Sequence, residues 1–171
     1  RTAARRAPGD VRPLLALART SLDEGRVPQA LLHARAAIRL APGDKDAVLT
    51  LVTALIAEPG LDEAARTLSA LSAKLPSDPD VAVIEGRLAL ARGNMSAART
   101  SFTRALMIRD DLREALDGLV TAEESQPTEA TRHRVESAVQ AHPADPDLRL
   151  VAGRIYRAMR DLTRAEETLV Q

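Results

Sequence analysis

Apolar and polar positions along this chain alternate with helical spacing, most clearly over residues 79–112. Val81, Ile84, Leu88 and Ala91 lie three or four residues apart, which predicts an amphipathic helix. After a turn at Gly93-Asn94, the small-large-small stripe Ala98, Phe102 and Ala105, joined by Leu106 and Ile108, predicts a second. Gly86 sits inside the first stripe, where a neighbouring backbone has to come close. Two helices this short cannot bury both stripes alone, so the pair needs copies on either side. The copies are there. A small mid-unit residue recurs at Ala30, Ala64, Ala98, Thr131 and Ala165, and a closing proline at Pro8, Pro42, Pro76 and Pro143. The period is 34 residues, with Asp110 in the proline's place in one unit and one residue lost in the next.

In chain order the expected units are residues 11–44, 45–78, 79–112 and 113–145, followed by a partial unit at 146–171. Residues 1–10 read as the tail of a preceding unit, because Arg1–Pro8 matches Arg35–Pro42. Both ends thus fall inside a unit, and the expectation is a single array cut from a longer one. Asp10, Asp44, Asp78 and Asp145 stand at one phase as helix N-caps, where a carboxylate accepts orphan backbone N–H groups. In the first unit Leu14, Leu17 and Ala18 are expected to face the neighbour, with Gly25 in the turn and Pro28 at a first helical position. Its second helix carries Ala30, Ala34, Ala37, Ile38 and Leu40, and Leu31 is expected to offset the smallness of Ala34. The second unit repeats this with Val48, Leu51, Val52 and Leu55, a turn at Pro59-Gly60, then Ala64, Leu68 and Leu71. The fourth is irregular. Leu116, Leu119 and Val120 keep phase, but Ser125-Gln126-Pro127 replaces the glycine turn, and Thr131, Val135 and Ala138 come one residue early. The fifth recovers the pattern with Gly153, Tyr156, Ala165 and Leu169.

A repeated helix–turn–helix of this length, with Gly or Ala early, Ala in mid-unit, a bulky residue four later and Pro at the end, resembles the tetratricopeptide repeat. In residues 79–112 those positions hold Gly86, Gly93, Ala98, Phe102, Ala105 and Asp110. The resemblance implies an all-α solenoid of antiparallel helix pairs, wound as a right-handed superhelix, whose work is holding other proteins. It also implies that first helices line a concave face, with their fifth and ninth positions in the groove. The fifth positions are Leu15, Leu49, Val83, Asp117 and Leu150; the ninth are Arg19, Thr53, Arg87, Thr121 and Arg154, with Arg157 one turn beyond. The expected groove is an apolar strip flanked by arginines, suited to an acidic, amphipathic protein or peptide segment. The rival expectation is internal pairing of Arg87, Arg154 and Arg157 with Glu114, Asp117 and Glu124. The lysine–asparagine pattern of relatives that clamp a chaperone's C-terminal carboxylates is missing, which argues against that ligand.

Composition narrows the function classes. Charged residues make up 28% and balance to zero, so no bulk field draws the chain to nucleic acid or an anionic membrane. Phe102 and Tyr156 are the only aromatics, too few for base stacking. The lack of cysteine removes disulfides, thiolate nucleophiles and Cys-based zinc sites, and fits cytosol and periplasm equally. No apolar run approaches the roughly 20 residues of a membrane span; the longest, Ala47–Ala57, is broken by threonines. Arginine dominates over lysine (Lys45 and Lys74 alone), which with abundant Ala and Leu suggests a GC-rich bacterial source. His33, His133 and His142 lie in or beside different second helices and read as structural or solvent-facing. Glu123 and Glu124 diverge by about 100° on a helix and read as a solvated helix end. Glu85, at an apolar position of the repeat, is expected to pair with a neighbouring arginine. Nothing marks a catalytic residue, a metal site or a cofactor. The expected function is a non-catalytic protein-binding scaffold, bound also to flanking repeats of its own chain, within a larger bacterial protein such as an envelope or polysaccharide-export adaptor. The competing expectation is a repeat domain that recruits substrates for an enzyme, such as a transferase, whose catalytic part lies elsewhere.

Overall fold

A computed structural model describes residues 10–58 and 60–170, with Leu169 and Val170 described by their backbone alone. All regular structure in these residues is helical: α1 (Arg12–Asp23), α2 (Val27–Leu40), α3 (Lys45–Ile56), α4 (Leu61–Lys74), α5 (Pro79–Ala91), α6 (Met95–Ile108), α7 (Arg113–Ala122), α8 (Glu129–Ala141), α9 (Pro146–Ala158) and α10 (Leu162–Val170). This is the all-α, solenoid-class architecture of helix pairs that the periodicity predicts. Packing divides the chain into two compact units, Arg1–Leu75 and Pro76–Gln171.

The caps explain where most first helices begin. Asp44 accepts from the Ala47 N–H at 2.8 Å, Asp78 from Asp80 and Val81 at 3.0 and 3.1 Å, and Asp145 from Asp147 and Leu148 at 2.9 and 3.3 Å. Proline follows the last two, where its missing N–H costs nothing. Asp10 departs from the expectation. Val11 is the N-cap of α1, and Asp10, one residue too early, accepts the Arg12 N–H at 3.1 Å and holds the Arg12 guanidinium at 2.9 Å. At the turns, Gly25 and Gly93 adopt φ of 69° and 72°, and Arg160 takes the same left-handed conformation at 63°. Pro59 of the predicted second turn lies outside the described residues.

In the first unit, α1 pairs with α2 and α3 with α4, and α3 also packs on α1 and α2. Val11, Leu15, Ala37 and Ala47 form one buried cluster there, with Leu14, Ile38 and Ala41 against it. Two expectations are corrected. Leu17, assigned to the inter-helix face, is 51% exposed, while Leu15, assigned to the groove, is only 5% exposed. Ala18 and Leu14 do face inward as expected, and Leu15 joins them on the buried side in place of Leu17. Leu40 is also exposed, at the last position of α2.

In the second unit, α7 lies on both α5 and α6, α9 lies on α7, and α8 leans on α9 more than on its own partner α7. The residue lost between α7 and α8 accounts for that looser hairpin. A single core runs through Ala98, Phe102, Leu116, Leu119, Val135, Leu148, Val151 and Ile155. Phe102 is fully buried, wedged between two glycines. A Cβ on Gly86 of α5 would stand 2.6 Å from the Phe102 ring, and one on Gly118 of α7 only 2.3 Å from it. The close approach at Gly86 is therefore made by an aromatic ring rather than by a neighbouring backbone. Ala91 and Ile108, counted in the stripes, are exposed at the last turns of α5 and α6.

Candidate functional site

The first helices of the second unit, α5, α7 and α9, stand side by side because α7 touches both others. Their fifth positions are Val83, Asp117 and Leu150. Val83 is buried in the core, Asp117 is half-exposed, and Leu150 is 54% exposed. Their ninth positions are Arg87, Thr121 and Arg154. Arg154 is committed to its own chain: its guanidinium ion-pairs with Asp117 across α7 and donates to Thr121 Oγ1 at 2.9 Å. The Thr121 hydroxyl in turn donates to the Asp117 carbonyl at 2.9 Å. Arg87 and Arg157 are exposed and form no ion pair among the described residues. Glu114 and Glu124 are exposed as well, and neither pairs with these arginines. Of the internal ladder weighed as the rival, the structure contains the Asp117–Arg154 rung alone among the described residues. The face left open combines two uncommitted positive side chains with one projecting leucine.

The first unit carries a smaller version on α1 and α3. Arg19 is exposed and unpaired among the described residues, Leu49 is half-buried, and Thr53 donates its hydroxyl to the Leu49 carbonyl at 2.9 Å. Leu15, in the core, offers no surface to a ligand.

The remaining candidates have structural partners. Glu85 forms an ion pair with Arg104 across the α5–α6 hairpin. His142 caps α8 through its backbone N–H to the Ala138 carbonyl, with its ring 3.8 Å from Asp111. The His133 ring lies 3.2 Å from Ser137 Oγ. His33 is half-buried on α2. Glu123 corrects the expectation of a solvated helix end, because it is only 6% exposed. Its Oε2 accepts from the Thr128 hydroxyl at 2.9 Å and from the Thr128 N–H at 3.3 Å. A buried carboxylate costs free energy unless such donors meet it.

One cluster went unread in the sequence. On α8, Glu129, Arg132 and Glu136 follow the three- and four-residue spacing of neighbours on one helix face, and Arg132 pairs with both acids. Tyr156 of α9 adds a hydrogen bond from its hydroxyl to Glu136 at 2.8 Å, and Arg164 of α10 stands 3.6 Å from the same oxygen and over the tyrosine ring. Burial alone would raise the Glu136 carboxyl, but the Tyr156 and Arg132 hydrogen bonds and the positive charges outweigh it and hold it below the usual range. The Tyr156 phenol is pushed up, first by burial and then by the hydrogen bond to Glu136. The i, i+4 signal was legible, but the arrival of Tyr156 from another helix was not. Among the described residues no group of three or more histidines and carboxylates could hold a metal ion, and no helix is long and apolar enough to cross a membrane.

Comparison with known proteins supports the same architecture. A family model described as "Tetratricopeptide repeat" matches residues 21–88. Among solved structures, a thermophilic TPR protein of Thermus thermophilus is similar over 91% of this chain and 84% of its own, at 24% identity and a TM-score of 0.76. The Pseudomonas aeruginosa pilF protein is similar over 92% of this chain and 72% of its own, at 16% identity and a TM-score of 0.72. MamA of Desulfovibrio magneticus is similar over 96% and 94%, at 16% identity and a TM-score of 0.65. No curated protein matches the sequence. At these identities the solved structures speak for the fold alone.

Proposed function

Because residues 21–88 match the tetratricopeptide-repeat model, we propose that the chain is a non-catalytic scaffold of that kind that holds a protein partner against the first helices of its second unit. The partner segment is acidic and amphipathic. One observation carries this: Arg87 and Arg157 project into solvent without an ion pair among the described residues, and Leu150 stands exposed on the neighbouring α9 surface. Exposed arginines left unpaired are available to carboxylates without first breaking an internal bond. The leucine supplies apolar area, which has to provide most of the affinity, because exposed ion pairs are worth only about 0–1 kcal/mol each. The arginines set register and association rate. Arg154 contributes less, being already engaged by Asp117. On the first unit, Arg19, Leu49 and Thr53 make a smaller face of like character. The setting that fits is a larger bacterial protein with flanking repeats, of the kind that serves as an envelope or polysaccharide-export adaptor.

The test is quantitative affinity capture from the native host with wild type, Arg87→Glu and Leu150→Asp, alongside melting curves for all three. The variants should melt within about 0.5 kcal/mol of wild type, as substitutions at unengaged surface positions do. Both should lose the same partner, with Arg87→Glu weakening it roughly tenfold and reducing the loss of binding that added salt causes in wild type. Retention of every partner by both variants would show that this face is not the binding site.

A further inference from the structure

A cleft of about 290 Å³ lies between the start of α6 and the irregular turn at 123–128. Met95 and Arg99 come from α6, and Ala122, Glu123, Ser125 and Gln126 from the end of α7 and the turn. The unusual feature is Glu123, nine-tenths buried yet lining this cleft. Among the described residues its hydrogen bonds engage Oε2 alone, through Thr128, and none engages Oε1. Among the same residues no cation stands within ion-pair distance of it. The site thus presents one carboxylate oxygen, fixed in place by a neighbouring threonine, with no charge partner of its own.

We propose that this cleft binds the side chain of a lysine from a partner protein, with Glu123 as its counter-charge. The geometry selects an ammonium over a guanidinium. A guanidinium binds a carboxylate best through both oxygens in a planar fork, and Oε2 is already taken by Thr128. An ammonium is a point charge that needs one acceptor from the carboxylate and two more nearby, which the Ser125 hydroxyl and the Gln126 amide oxygen can supply. Met95, about half exposed, and Ala122 offer apolar surface along which a four-carbon stem can lie. Arg99 shares the wall and acts as a weak competitor of the incoming charge. This site is separate from the face on α5, α7 and α9, and its sign is opposite: there the protein supplies the cations, here the anion.

The experiment is an NMR titration of the full chain with Nα-acetyl-lysine methylamide, with the norleucine analogue as the uncharged control and the arginine analogue as the alternative cation. The lysine probe should shift the Glu123 side-chain carboxyl carbon and the amides of Ser96, Ser125 and Gln126 saturably. Norleucine should shift none of them, and arginine should bind more weakly. Glu123→Gln should weaken the lysine response about tenfold, and Arg99→Ala should leave it equal or stronger. A wild-type carboxyl resonance unmoved by lysine, or moved equally by norleucine, overturns the proposal even if Glu123→Gln fails to fold. Weaker binding in Arg99→Ala also overturns it, since it would assign the cleft to an anion held by Arg99.

Discussion

Gly118→Ala is the sharpest test of how this core is built. A glycine-to-alanine change inside a helix normally favours folding by about 1 kcal/mol, because alanine loses less backbone freedom. At Gly118 the structure predicts the opposite sign. The new Cβ would sit 2.3 Å from Phe102 Cζ and 2.4 Å from Cε1, against ordinary carbon contacts of about 3.5–4.0 Å. The ring would have to retreat by more than an ångström, and on its other side a Cβ of Gly86 would already collide at 2.6 Å, so α5 leaves it little room. Overpacking of this kind costs about 1–3 kcal/mol, and here it must also outweigh the helix gain. The expected net loss is up to about 2 kcal/mol, or up to roughly 16 °C in melting temperature for a unit of this size. The assay is urea and thermal denaturation followed by circular dichroism, with Gly43→Ala as the control. Gly43 has open space around its Cβ position and no left-handed φ, so alanine there should be neutral or stabilising by up to about 1 kcal/mol. The decisive step is the double variant Gly118→Ala with Phe102→Leu, which shortens the side chain where the methyl arrives. Its loss should be smaller than the sum of the single losses by about 1 kcal/mol. Strict additivity, or a stabilised Gly118→Ala, would refute the wedge.

Phe102→Ala should destabilise by about 3–5 kcal/mol and broaden or split the melting of the second unit, since α5, α6 and α7 all meet at that ring. Arg160→Gly should stabilise by about 1 kcal/mol, because its φ of 63° suits glycine and strains an arginine; an unchanged melting temperature would show the turn relaxes in solution. Asp145→Ala should cost about 1 kcal/mol through loss of the α9 cap, measured by the same melts. Glu136 is held below its unfolded range, so the stability it contributes is present above the unfolded carboxyl pKa and fades as pH falls through the folded one. Glu136→Gln should flatten that acid limb in a stability–pH profile, and Tyr156→Phe should flatten it in part.

The fold was legible because the repeat writes the same instruction several times. One amphipathic helix pair is ambiguous; a stripe recurring at 34-residue intervals, with a cap aspartate and a closing proline in phase, leaves few alternatives. What the period could not fix was rotation about each helix axis. In α1 the N-cap fell on Val11 rather than Asp10, and independently of the cap the fifth positions Leu15 and Val83 went inward while Leu17 stayed outward. A cap position is decided by local hydrogen bonding between near-equal candidates, and periodicity has no leverage on that choice. The wedge of Phe102 between two glycines was half visible: Gly86 sits at the small position of its repeat, but Gly118 does not, and only the three-dimensional approach of α7 explains it.

The candidate face was legible by position and illegible by state. Sequence spacing brings Arg87, Asp117 and Arg154 to the same side of successive first helices, and charge alone gives two outcomes, open or self-paired. The structure divides them along a physical line. Asp117 and Thr121 are four residues apart on α7, so together they offer Arg154 a carboxylate and a hydroxyl on one helical turn, and it engages both. Arg87 makes no ion pair with Asp117 among the described residues. Arg157, one turn past Arg154 toward the end of α9, likewise forms no ion pair among the described residues. A single acidic turn on α7 therefore neutralises one of three arginines and leaves the other two to a partner. The consequence is directional: replacing Asp117 with asparagine should free Arg154 and enlarge the positive face, so a partner captured through Arg87 should bind Asp117→Asn more tightly, not less. Weaker binding to that variant would mean that Asp117 itself is what the partner recognises.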